Sequence, residues 1–99
     1  MFVVLITYTA PLEEIDYALP DHAAWLNRQY EAGYFLASGR RNPRTGGVII
    51  TRPMSRDKLT ALLATDPFSE RSLAHYEIIE FQASRTCQEL ALLNEALTG

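Results

Sequence analysis

The chain has 99 residues, 47% hydrophobic and 21% charged, a length that suits one domain over 1–99 and leaves little room for two. Its net charge of −3 argues against a nucleic-acid partner, which would call for a basic face. The lone cysteine, Cys87, excludes an internal disulfide and fits a reducing cytoplasm.

Residues 2–9 are rich in β-branched and aromatic types and predict a first strand. Phe2, Val4 and Ile6 make one face apolar, and Val3 and Leu5 make the other so. A strand of this kind is expected to be covered on both sides. The run is too short to cross a membrane and lacks the layout of a signal peptide, so no membrane partner is expected. Residues 10–19 read as a connector with a short helical turn over 12–17, and Pro20 as a boundary. A helix is expected from Asp21 to Ala32, with Ala23, Leu26, Tyr30 and Gly33 on one face and Gly33 as the stop.

Residues 34–40 and 47–52 predict two strands joined by the turn-rich Arg41-Asn42-Pro43-Arg44-Thr45-Gly46, a hairpin. Ser55 is a helix N-cap, with Met54 and Leu59 spaced as a hydrophobic staple and Leu59, Leu62 and Leu63 as the apolar stripe. Asp66-Pro67 ends that helix. Residues 74–82 predict the last strand. Thr86 and Glu89 have capping-box spacing, and Leu90, Leu93 and Leu97 predict a short amphipathic C-terminal helix. The order βαββαβ is that of an α+β ferredoxin-like fold with a four-stranded antiparallel sheet. Two helices cover one sheet face; the other face, also apolar, predicts a homodimer through the sheet faces.

Among polar residues, His22 stands out. It shares a helix side with Leu26 and is expected in the first turn, where the positive end of the helix dipole keeps imidazole neutral and basic. A lone histidine on an apolar face is more often a packed core residue than a proton acceptor, so the residue by itself leaves both open. Asp66 follows a helix C-terminus, where a carboxylate is disfavoured. It reads as ordinary Asp-Pro turn chemistry or as the partner that orients His22. Ser38 and Gly39 lie on the second strand, expected beside the first strand and near the start of the first helix. There they either bind a ligand or form a bulge. Arg40, Arg41 and Arg44 cluster at the hairpin, as a solvated turn or as a grip for a carboxylate or phosphate. His75, Trp25 and the tyrosines follow core or interface spacing. One cysteine and two histidines make no zinc spacing. Phosphate-binding glycine loops and nucleophile elbows are also missing from the sequence.

In order along the chain come a first strand ending in Tyr8, His22 with Trp25-Leu26, Gly33 and then Ser38-Gly39. Arg44-Thr45-Gly46-Gly47-Val48-Ile49, Asp66-Pro67-Phe68 and Tyr76-Glu77-Ile78-Ile79-Glu80-Phe81 follow. Over nearly the whole chain this series resembles the YciI-like (YCII-related) family. The resemblance implies a protomer of the dimeric α+β barrel superfamily with His22 and Asp66 in a pocket. A relative dehalogenates a chlorinated muconolactone, and muconolactone isomerases share the superfamily. Many relatives carry proline where this chain has Arg40. The expectation is an enzyme of lyase or isomerase type, dehydrochlorinase-like, using no metal or redox cofactor. It acts on a small anionic or carbonyl-containing molecule, an organic acid or lactone. His22 moves the proton, Asp66 orients it, and Ser38, Gly39, Arg40 and Arg44 bind substrate. A non-catalytic metabolite-binding or interaction domain and a cofactor-independent oxygenase are the alternatives.

Overall fold

The structure is a computed structural model describing residues 1–98, with the side chains of Leu97 and Thr98 outside the description. Strand β1 (Phe2–Tyr8) leads into helix α1 (Leu12–Glu31), and β2 (Phe35–Arg40) and β3 (Gly46–Thr51) form the expected hairpin. Helix α2 (Arg56–Leu63), the short helix α3 (Pro67–Glu70) and β4 (Ala74–Glu80) complete the βαββαβ order. The four strands form one antiparallel sheet in the order β2-β3-β1-β4. Strand β2 is therefore an edge strand whose neighbour is β3, not β1 as the sequence reading placed it. Among the described residues no helix is long and apolar enough to cross a membrane.

Helix α1 corrects the reading of Pro20. It starts at Leu12, after Pro11, and runs 20 residues straight through Pro20. Proline in a helix interior has no N–H for the carbonyl four residues back and crowds it, at a cost of about 3 kcal/mol. The turns before Pro20 have their own anchorage. Ile15 and Ala18 are fully buried against Phe68 and Leu73. Burial of one isoleucine is worth roughly 1.5–3 kcal/mol, enough to offset most of that cost. The buried stripe is accordingly Ile15, Ala18, His22, Trp25 and Gln29, rotated from the face drawn through Ala23 and Tyr30, which are exposed. Gly33 ends the helix at φ +81°, with Gly33 N–H donating to Tyr30 O and Tyr34 N–H to Gln29 O, the paired bonds of a Schellman stop.

Ser55 caps α2 as expected, accepting from Lys58 N–H at 3.2 Å. The main core lies between helices and sheet, where Phe2, Val4 and Ile6 of β1 meet Trp25, Ile49, Leu59 and Leu63. Val3, Leu5, Val48 and Ile50 point to the opposite face and are half-buried. Part of that face is covered by the chain itself. Ala83 and Leu93 pack with Met1 against Leu36 and Ile50. The C-terminal segment is a 3-10 helix (Gln88–Leu93) followed by α4 (Glu95–Thr98), rather than one amphipathic helix. Its N-cap is Cys87 without a side-chain bond, so the Thr86–Glu89 capping box does not form. Leu93 is buried and Leu90 exposed; the side chain of Leu97 lies outside the described residues.

Candidate functional site

Two separate elements bring His22 and Asp66 together. His22 sits mid-helix on the buried stripe of α1, and Asp66 in the turn between α2 and α3. His22 Nδ1 lies 2.8 Å from Asp66 Oδ1, and Asp66 is fully buried. The electrostatic reasons read from sequence do not hold. His22 is far from the N-terminal turn of α1, so the helix dipole does not set its state. Asp66 is the N-cap of α3, where its charge is favoured, and Oδ1 accepts from Phe68 N–H at 3.1 Å.

Tyr76 is the third member of this network. Its hydroxyl donates to Asp66 Oδ2 at 2.5 Å. Burial, then the charge of Asp66, then this hydrogen bond push the Tyr76 phenol well above its usual pKa range, so it stays a donor. With donors on both oxygens, Asp66 acts as a pure acceptor, which makes His22 Nδ1 the N–H of the neutral ring. Nε2 then holds the lone pair. Among the described residues it makes no hydrogen bond, and it is not among the buried atoms left without a partner. The ring itself is held by packing, stacked on Phe68 at 4.0 Å and 9° and on Trp25 at 5.9 Å. Trp25 is fixed in turn by Nε1–H donating to Thr65 Oγ1 at 2.8 Å.

His22 forms part of the wall of a cavity of about 210 Å³ between α1 and the sheet. A cavity of about 150 Å³ is enough for a benzene ring, so a six-membered ring with several substituents fits. Ile6, Leu19, Leu26 and Phe68 give apolar wall, and Tyr8, Ser38, Gly39 and Arg40 give polar groups. Three of the four ligand-binding residues expected from sequence thus share one cavity with His22. Ser38 Oγ is paired with Tyr30 OH at 2.6 Å. Arg44 is placed differently: it does not line the cavity, and its guanidinium is bonded to Asp16 of α1. Among the described residues no group of three or more His, Cys, Asp or Glu side chains is placed to hold a metal ion.

The sequence reading gives Tyr76, Phe68 and Tyr8 no role in the site, because each comes from a different element. The signal available for Tyr76 was alternation in β4, which puts it opposite Ile6 on the helix side of the sheet. A phenol buried there needs a polar partner for its hydroxyl.

An antiparallel βαββαβ sheet with a His-Asp-Tyr network at a ring-sized cavity defines a ferredoxin-like domain whose polar centre lies beneath its first helix. The chain belongs to the YCII-related domain family, whose model matches residues 1–82. The C-terminal segment beyond residue 82 lies outside that match. No curated protein matches the chain. Among solved structures it is similar to 5-chloro-2-hydroxyhydroquinone dehydrochlorinase (TftG) from Burkholderia phenoliruptrix AC1100 in complex with 2,5-dihydroxybenzoquinone. The TM-score is 0.68 at 17% identity, over 82% of this chain and 93% of that one.

Proposed function

We propose that this protein is a lyase or isomerase acting on a small ring-bearing organic acid or lactone, with no metal or redox cofactor. The observation that carries the reading is the 2.8 Å contact between His22 Nδ1 and the buried Asp66 carboxylate at the wall of a ring-sized cavity. His22 Nε2 takes a proton from a carbon next to a carbonyl. The electron pair of the broken C–H bond moves onto the carbonyl oxygen. Its return either expels a leaving group from the adjacent carbon, as a halide in dehydrochlorination, or ends in reprotonation at another carbon. Asp66 keeps Nδ1–H and stabilises the imidazolium formed. Ser38, Gly39 and Arg40 hold the substrate, with Arg40 suited to an anionic oxygen. The fold similarity to a dehydrochlorinase supports the same class of chemistry. The protein is proposed to work in the cytoplasm.

The test is a panel of chlorinated hydroxyhydroquinones and lactones, read by chloride release and by deuterium uptake from solvent. His22→Ala is expected to lower kcat by about 10²- to 10⁴-fold, the span of general acid–base catalysis, and to lower the unfolding midpoint too, since it strips a buried partner from Asp66, so kcat is read below that midpoint. Unchanged turnover would remove His22 from the chemistry. Saturable binding without chemical change in the wild type would make this a binding domain.

A homodimer through the second sheet face belongs to the same reading. Val3, Leu5 and Val48 are half-buried on that face, and Ile79 and Phe81 of the β4 side are 43% and 40% exposed. Sedimentation at micromolar concentration is expected to give twice the 11.2 kDa chain mass, and Ile79→Glu to give monomer. Wild-type monomer under those conditions would sink the assembly.

A further inference from the structure

The proposed chemistry needs a partner for the base: where a proton leaves carbon, negative charge develops on an oxygen. Tyr8 is placed to meet it. It ends β1 on the helix side of the sheet, in alternation with Phe2, Val4 and Ile6, and lines the same cavity as His22. Its ring meets Phe68 edge-on at 5.8 Å and 83°, while His22 stacks on Phe68 at 4.0 Å, so one aromatic ring spaces the two polar groups. The backbone on either side of Tyr8 is fixed, with Tyr8 N–H donating to Thr45 O and Thr9 N–H to Leu73 O, both at 2.9 Å.

Arg44, next to the Thr45 whose carbonyl takes the Tyr8 N–H, brings its positive charge near the Tyr8 phenol. A cation beside it makes the phenol a better donor to an incoming oxygen. Asp16 of α1 holds Arg44 from its other side. Arg44 Nε is buried with no partner. The cavity therefore has an acceptor, His22 Nε2, on one wall and a phenol with a cation near it on another.

We propose that Tyr8 is a second catalytic residue: its O–H hydrogen-bonds the oxyanion formed when His22 takes the proton, and Arg44 is the positioning residue that directs it. The assignment rests on the proton-transfer reading above and sharpens its substrate class to cyclic carbonyl compounds and their enols. No atom is exchanged with Tyr8. It donates a hydrogen bond that strengthens as charge moves from the C–H bond to oxygen.

The probe is 2,5-dihydroxybenzoquinone, a ring dione whose acidic enols ionise to the kind of oxygen Tyr8 would hold, titrated by its absorbance. Tyr8→Phe is expected to weaken binding at least ten-fold with the unfolding midpoint unchanged. Arg44→Met is expected to weaken binding and also to shift the absorption maximum of the bound probe, which a merely structural role for Arg44 would not do. Equal affinity of wild type and Tyr8→Phe overturns the assignment of Tyr8, whatever His22 does. Wild-type binding lost in Tyr8→Phe, together with full turnover in His22→Ala, keeps Tyr8 and removes the base. A wild type that binds no probe overturns both.

Discussion

Asp66→Ala is expected to cost the protein about 3 kcal/mol of stability and nearly all of its reaction at once. The carboxylate is fully buried and accepts from three donors: His22 Nδ1, Phe68 N–H and the Tyr76 hydroxyl. Removing one side of a buried charged network leaves its partners dry and unpaired, at roughly 3–5 kcal/mol where the partner is ionic and about 1–3 kcal/mol per neutral group. The helix cap of α3 goes with it, about 1 kcal/mol more. These terms overlap because the same donors enter each, so a total near the lower end is expected. Asp66→Asn separates stability from chemistry. An amide oxygen can still cap α3 through Phe68 N–H, so much of the fold energy survives. The same oxygen, in the place of Oδ1, also keeps His22 Nδ1–H, while the amide nitrogen takes the place of Oδ2 and turns the Tyr76 hydroxyl into an acceptor. His22 keeps its tautomer but loses the negative charge that stabilises the imidazolium formed when Nε2 takes a proton. In catalytic triads the same exchange costs about 10⁴ in kcat. Chemical denaturation of both variants, beside kcat on the first substrate found, checks the pair of outcomes. Normal turnover in Asp66→Asn would mean that the carboxylate is only a cap.

The two residues at the centre of the site were legible, although the reasons read for them were not the physical ones. His22 was singled out by a helix dipole that does not reach it, since α1 begins ten residues earlier. Asp66 was singled out by a clash with a helix end, where it in fact caps the next helix. What survives is His22 on the buried side of its helix and the pairing of its ring with Asp66, which lie 2.8 Å apart. The error in α1 came from treating Pro20 as a boundary. Local propensity favours that reading, and the burial of Ile15 and Ala18 against Phe68 and Leu73, residues distant in sequence, overrides it. Strands were easier, because β-branched runs and the turn at 41–46 are local signals. Tyr76, Phe68 and Tyr8 reach the site only through sheet register and the path of the chain after α2. Residue spacing carries no direct record of such contacts. The sheet order was missed in the same way, with β2 set beside β1 although β3 lies between them.

Gly46→Ala is expected to be the most damaging single methyl group that can be added near the site. Gly46 faces Thr7 across the β1–β3 pairing. A Cβ there would lie 1.7 Å from Ile6 O, 2.7 Å from Ile6 C and 3.0 Å from Thr7 Cα. All three atoms are backbone of a central strand, so no rotamer change relieves the overlap. The strands must part, and the losses follow from what the junction holds. Arg41 N–H donates to Gly46 O at 2.8 Å, and Tyr8 N–H to the neighbouring Thr45 O at 2.9 Å. Separation frees the root of the hairpin that carries Arg40 to the cavity and Arg44 to Asp16. A loss above about 4 kcal/mol is expected, a large share of the roughly 5–15 kcal/mol that holds a domain together. The glycines nearby grade the effect by space alone. A Cβ at Gly47 meets Gly39 O at 3.1 Å, a contact that a small shift relieves, and one at Gly39 meets nothing within 4 Å. The unfolding midpoint should therefore fall steeply for Gly46→Ala, modestly for Gly47→Ala and hardly at all for Gly39→Ala. Equal midpoints for the three would mean that β1 and β3 do not cross this closely. Tyr8 would then lose the fixed backbone on which its place in the cavity depends.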